Sequence, residues 1–178
     1  MIHKEATQVG HPVIRSKAKK VVDATSAEIQ KVIEDLTDSM RHHELVGMAA
    51  PQIGVGVRVF VTEIRKTKLR KTEADGVDGL RVFVNPKIIS TSKKMVEGWE
   101  GCGSVACAGL FGKVKRPEKV VVEALSEKGE KFTLAAHGLL ARVIQHETDH
   151  LNGVLFVDTA NPKTFMSRSE YLKMKSKG

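Results

Sequence analysis

From Ala27 to His42 the apolar residues Ile29, Val32, Ile33, Leu36 and Met40 recur at intervals of three and four, the spacing that lines one face of a helix. Thr25-Ser26-Ala27-Glu28 reads as a capping box that opens this helix, and the pattern ends near His43. Gly54 to Val61 then alternates with period two, as a half-buried strand does. A charged loop follows from Arg65 to about Gly79, and Leu80–Val84 and Lys87–Ile89 read as strands around Asn85-Pro86. Lys119–Leu125 and Lys131–Leu134 form a hairpin about Glu127-Lys128-Gly129. A second long helix runs from about Gly138 to Asn152 and stops at Gly153. From about position 161 the tail, opening Asn161-Pro162, reads as a short helix or a disordered end. Strands preceding the second helix, with hairpins between them, predict an α+β fold with mainly antiparallel sheets.

At 178 residues the chain is expected to be one domain over positions 1–178, large enough to bury a functional site without disulfides. Two cysteines, no apolar run at the start and no stretch able to cross a bilayer predict a soluble, cytoplasmic protein of a reducing compartment, with no membrane partner. The formal charge of +8 raises the question of nucleic acid. Basic clusters stand at Arg65-Lys66-Thr67-Lys68-Leu69-Arg70-Lys71, at Lys113-Val114-Lys115-Arg116 and from Lys173 to Lys177. One Trp and one Tyr make a poor base-stacking platform, so these clusters read as solvated faces and no specific DNA binding is expected. A basic surface still favours residence near ribosomal RNA.

The candidate chemistry lies in three separated segments: Gly47-Met48-Ala49-Ala50-Pro51-Gln52, Glu100-Gly101-Cys102-Gly103-Ser104 and Gln145-His146-Glu147-Thr148-Asp149-His150. His146 and His150 lie one helical turn apart and can close on one divalent ion. Glu147 projects beside them, placed to take a proton from water. The continuation Leu151-Asn152-Gly153-Val154-Leu155-Phe156 imitates the metzincin pattern, but Phe156 stands where that pattern needs its third ligand. A catalytic site with three protein ligands must then draw the third from elsewhere. Cys102 is the best candidate, between Gly101 and Gly103, whose missing side chains let backbone and metal approach. A competing arrangement adds Cys107 to Cys102, His146 and His150, a closed Cys2His2 set for structural zinc. His42 and His43, at the end of the first helix, suit the helix dipole better than a metal.

In order and spacing the three segments resemble the peptide deformylase family, whose pattern is G-x-G-x-A-A-x-Q, then E-G-C-x-S, then Q-H-E-x-D-H. The similarity extends from Gly10-His11-Pro12-Val13-Ile14-Arg15 to Leu155-Phe156-Val157-Asp158. It implies a single domain whose antiparallel sheets surround the helix carrying His146 and His150. It also implies hydrolysis of the N-terminal formyl group of newly made polypeptides, releasing formate. Cys102, His146 and His150 would hold the metal, whose charge lowers the pKa of bound water. Glu147 would be general base and then acid, while the Gln52 amide and the Gly103 backbone N–H would stabilise the oxyanion.

Specificity for formylmethionine needs an apolar slot, for which Val46 and Gly47 on one side and Leu139 and Val143 on the other are the candidate walls. Leu139 and Val143 serve equally well as core residues on spacing alone. Glu100 matches a residue that the family pairs with Arg116 to brace the pocket. The resemblance implies Fe(II), although thiolate and two imidazoles also suit zinc, cobalt or nickel. The implied partners are formylated nascent peptides and, through the basic surface, the ribosome. A metalloprotease, another amidase on the same core, or an RNA-associated protein are the other readings.

Leu45 stands where the family pattern has its first glycine, and Gly103 where it usually has leucine. The stretch Val105-Ala106-Cys107-Ala108-Gly109-Leu110-Phe111-Gly112 lacks the proline common after the second segment. These departures predict an altered substrate preference or rate.

Overall fold

A computed structural model describes residues 4–68, 70 and 76–176. The start of the chain from Met1 to His3, Leu69, Lys71 and Lys177 lie outside the described residues, so the first and last basic clusters are only partly seen. The amphipathic stripe does form a helix, α2 (Ala27–His42), after a single short turn of helix, α1 (Pro12–Arg15). The expected capping box is absent. Ser26 is the N-cap residue, but its hydroxyl donates to the Asp23 carbonyl at 3.0 Å. Asp23 instead shapes the entry, accepting from the Thr25 amide and hydroxyl at 2.8 and 2.7 Å.

Strand β1 (Gly47–Ala49) runs into a tight 3-10 turn, Ala50–Ile53, closed by Gly54 at φ +83°. Gly54 to Val57 therefore lie outside any strand, and the expected strand begins later, as β2 (Val59–Ile64). The two short strands expected around Asn85-Pro86 are one long strand, β3 (Asp78–Thr91). Asn85 sits at φ +53° and the pairing register shifts between Val84 and Lys87, so the chain bulges there without leaving the sheet. The hairpin appears as β6 (Lys119–Leu125) and β7 (Lys131–His137).

These strands build one antiparallel sheet in the order β1-β2-β3-β6-β7. Its central strands are buried on both faces. Val59, Val61, Val82 and Val84 meet Ile29, Val32, Ile33, Leu36 and Met40 of α2. Phe60, Phe83, Val120 and Val122 point the other way, against Ala141, Ile144 and Leu151 of helix α3 (Gly138–Leu151). Phe60 and Phe83, directly paired across β2 and β3, stack with centroids 4.5 Å apart.

A second, three-stranded sheet has the order β4-β5-β8, from β4 (Met95–Gly101), β5 (Leu110–Pro117) and β8 (Asn161–Ser167). The tail expected to be a short helix or disordered is thus first a strand, then helix α4 (Arg168–Ser176). Tyr171 of α4 lies flat on Phe111 of β5, centroids 4.1 Å apart, and edge-on to Trp99 of β4 at 5.8 Å. Helix α3 contacts both sheets, which places its polar side at their junction. Among the described residues no helix is long and apolar enough to cross a membrane.

Candidate active site

Helix α3 divides its faces by chemistry. Ala141, Ile144 and Leu151 face the large sheet, and Gln145 ties the helix to the end of β5 by donating to the Pro117 carbonyl at 3.1 Å. The opposite side carries His146 and His150, whose rings stand edge to face at 5.0 Å. Cys102 follows β4 directly and is buried, with Sγ 3.2 Å from His150 Nε2. One ligand atom each from Cys102, His146 and His150 falls within 4.8 Å of the others, which brings together the three residues expected to bind metal. Burial would push the Cys102 thiol up, but His150 and His146 outweigh it and hold the thiol well below its ordinary value, favouring the thiolate that metals bind.

The donor set and its surroundings suit a cation. His146 places Nδ1 3.0 Å from Glu100 Oε2, so Nδ1–H donates outward and Nε2 is left to ligate. Glu100 is itself fully engaged. Arg116 grips both its oxygens at 2.6 and 2.9 Å, and Arg142 donates to Oε1 at 2.7 Å. Arg116 also reaches Asp149 at 2.8 Å. Burial raises the Glu100 carboxyl, yet Arg116 and His146 more than reverse this and hold it well below the usual carboxylate range. Buried charges without such mutual pairing would be strongly destabilising. The expected Glu100–Arg116 brace is therefore present and wider than the sequence reading had it, since Arg142 and Asp149 belong to it. Their positions four before and three after His146 put them on the same helical face, a signal available in the sequence.

Glu147 is buried beside the histidines, and its Oε2 has no hydrogen-bond partner. Burial is the main cause that pushes its carboxyl up to about 7, against the opposing pull of His146 and His150. Gly47 explains how it fits. A Cβ on Gly47 would stand 2.5 Å from Glu147 Oε1 and 2.5 Å from Val143 Cγ1. Gln52, in the 3-10 turn after β1, uses Oε1 to accept from the Ala49 amide at 2.8 Å, so Nε2 faces Cys102 Sγ at 3.6 Å. The turn thus fixes the direction of the Gln52 amide.

A pocket opens beside this cluster, and every residue expected to contact substrate lines it: Val46, Gly47, Glu100, Leu139 and Val143. Gln52, Gly103 and Glu147 line it too, with Leu45, Trp99 and Arg142. Leu139 and Val143 both face this pocket, and Val143 is buried as well. Nothing in the sequence marks Trp99 for this pocket, because its strand carries no clear alternation.

One expectation is overturned. Cys107 is exposed and does not join the cluster of Cys102, His146 and His150. It lies in a turn where Ala106, Cys107 and Ala108 have φ of +49°, +51° and +60°, with its amide donating to Gln8 Oε1 at 2.9 Å. The closed Cys2His2 set is thereby ruled out. The glycines beside Cys102 also have a packing role. A Cβ on Gly101 would meet the Phe111 ring at 2.7 Å, and one on Gly103 would meet Leu45 Cδ1 at 3.3 Å. The missing proline also has a physical counterpart, because its ring fixes φ near −65° and the left-handed value at Ala106 is closed to it.

A sequence profile described as polypeptide deformylase matches residues 3–166 of the chain. The peptide deformylase of Natranaerobius thermophilus is 40% identical over 149 residues, covering 84% of this chain and 86% of that protein. The peptide deformylase of Halothermothrix orenii is 41% identical over 151 residues, covering 85% and 89%. Among solved structures, a Met-Ala-Ser-bound class I type b peptide deformylase from Acinetobacter baumannii superposes with a TM-score of 0.81 at 31% identity, over 89% of this chain and 98% of that one.

Proposed function

The chain belongs to the peptide deformylase family, and from that premise we propose which of its residues carry out hydrolysis of the formyl group on N-terminal formylmethionine. The observation that carries the reading is the convergence of the Cys102, His146 and His150 ligand atoms within 4.8 Å, next to a buried Glu147 with an unpartnered oxygen. A divalent cation held by those three residues supplies Lewis acidity and lowers the pKa of water at the site.

Glu147 accepts the proton of the attacking water on its carboxylate and returns it to the amine nitrogen as the C–N bond breaks. Gln52 Nε2, aimed into the site because Oε1 is held by Ala49, and the Gly103 backbone N–H donate to the oxygen that gains charge. Glu100 fixes the His146 tautomer, and Arg116 and Arg142 hold Glu100. The methionine side chain enters the slot of Val46, Gly47, Leu139 and Val143, an unbranched thioether against an apolar wall.

Fe(II) is the resident metal in this reading, with zinc, nickel or cobalt able to take its place in the same thiolate and imidazole set. The site of action is the cytoplasm, on nascent chains, and the charge of +8 favours contact with ribosomal RNA. Co-sedimentation with ribosomes at low salt checks that contact, and its absence removes it. Anaerobic purification, elemental analysis and formate release from formyl-Met peptides, beside unformylated and N-acetylated controls, test the activity. Glu147→Gln is expected to keep the metal and lose about 10²–10⁴-fold in kcat. Full activity in that variant overturns the proposed role of Glu147.

A further inference from the structure

Leu45 and Gly103 face one another on the wall of the pocket. A Cβ at Gly103 would stand 3.3 Å from Leu45 Cδ1 and 3.6 Å from the Ala6 Cβ. Contact at 3.3 Å is tighter than ordinary packing, so a side chain at 103 presses on Leu45, which must shift to admit it.

Neither backbone is free to step aside. Leu45 donates its amide to the Met40 carbonyl at 2.9 Å and accepts at its own carbonyl from Arg65 Nη2 at 3.2 Å. Its side chain also rests on the cluster formed by α2 and the large sheet. Gly103 accepts from Gln8 Nε2 at 2.8 Å, and the next residue, Ser104, accepts from the Val9 amide at 2.8 Å. One volume between two fixed strands of backbone can thus be filled from either side, and here it is filled from Leu45.

We infer that Leu45 and Gly103 act as one packing unit that limits the side chain accepted immediately after methionine. This rests on the reading that the pocket holds a formylated peptide. Gly47 abuts Glu147, and Leu45, two residues earlier and across the bend at Val46, lines the same pocket opposite Gly103. A peptide with its formyl carbon beside Glu147 and its methionine in the apolar slot, leaving the pocket past Leu45 and Gly103, brings its second residue against that pair. Leu45 is a specificity-determining residue on this account, and Gly103 is what lets it reach across.

The test compares wild type, Leu45→Ala, Gly103→Leu and the double variant on formyl-Met-Ala-Ser and formyl-Met-Phe-Ser. Leu45→Ala is expected to raise kcat/KM for the Phe peptide relative to the Ala peptide by about tenfold, an effect in KM with kcat held. Gly103→Leu, which overfills the site, is expected to raise KM for both peptides about tenfold. The double variant, with the leucine moved across, returns the Phe-to-Ala ratio to within about threefold of wild type. A ratio that stays within twofold in all four proteins, or single effects that simply multiply in the double variant, overturns the inference. The products Met-Ala-Ser and Met-Phe-Ser read the same ratio by calorimetry without turnover. Absence of formate release from wild type would sink the deformylase reading alone and leave the coupling of the pair measurable. Should Gly103→Leu fail to fold, the Leu45→Ala ratio decides the matter by itself.

Discussion

At Gly47 a single absent methyl group leaves the space that Glu147 occupies. The residue does not need glycine's backbone freedom; it needs the space, because Glu147 and Val143 already occupy the position a Cβ would take. Gly47→Ala must therefore displace Glu147, the general base proposed above, or Val143, or β1. Displacement of about 1 Å at a reacting centre can cost on the order of 100-fold, and kcat/KM is expected to fall by about that much while elemental analysis still finds one metal per chain. Activity within threefold of wild type would show that Glu147 tolerates the shift. The sequence displays His146, Glu147 and His150 openly because helical periodicity alone aligns them. It aligns Arg142 and Asp149 on the same helical face but hides what they bind, since their partners Glu100 and Arg116 sit on the small sheet, far away in the chain. It hides Gly47 for the same reason: nothing adjacent in the chain explains it.

The helices α2 and α3 were legible as elements because each buries an unbroken stripe against the large sheet. Strands β4 and β5 were not, since glycines interrupt them where neighbours press close, and β8 was hidden by its Asn161-Pro162 opening, which reads as a turn. Gly98 leaves room for the Arg142 guanidinium, Gly101 for Phe111 and Gly112 for Phe165. Those glycines look like turn signals until the opposing side chain is seen. The turn at Ala106–Ala108 carries a different kind of hidden constraint, three consecutive left-handed residues without a glycine. Each such residue is unfavourable by about 1–2 kcal/mol relative to a right-handed one. Cys107→Gly keeps the amide bond to Gln8 and removes one of these penalties, less glycine's larger entropy in the unfolded chain. It is expected to stabilise the protein by about 0.5–1 kcal/mol, seen as a Tm rise of about 1–3 °C. Metal content and formate release should not change; loss of metal would return Cys107 to the ligand set.

Across the molecule, the site exists only where the two sheets and α3 meet. The small sheet is closed by α4, beyond the residues 3–166 that the family profile matches. Through Tyr171 this helix supports Phe111, which fills the space beside Gly101, and Trp99, which lines the pocket. Tyr171→Ala is expected to lower stability by about 2 kcal/mol, or about 5 °C in Tm. It should also raise KM several-fold with the metal retained, as Trp99 loses its support. An unchanged KM alongside the lower Tm would confine α4 to stability. The order of the parts along the chain has a further consequence during synthesis. Gly47 and Gln52 leave the ribosome first, Cys102 well after them and the His146–His150 pair later again. A copy still being made cannot hold its metal or present a finished pocket. A growing copy therefore stays inert until α3 has been made and has folded against both sheets.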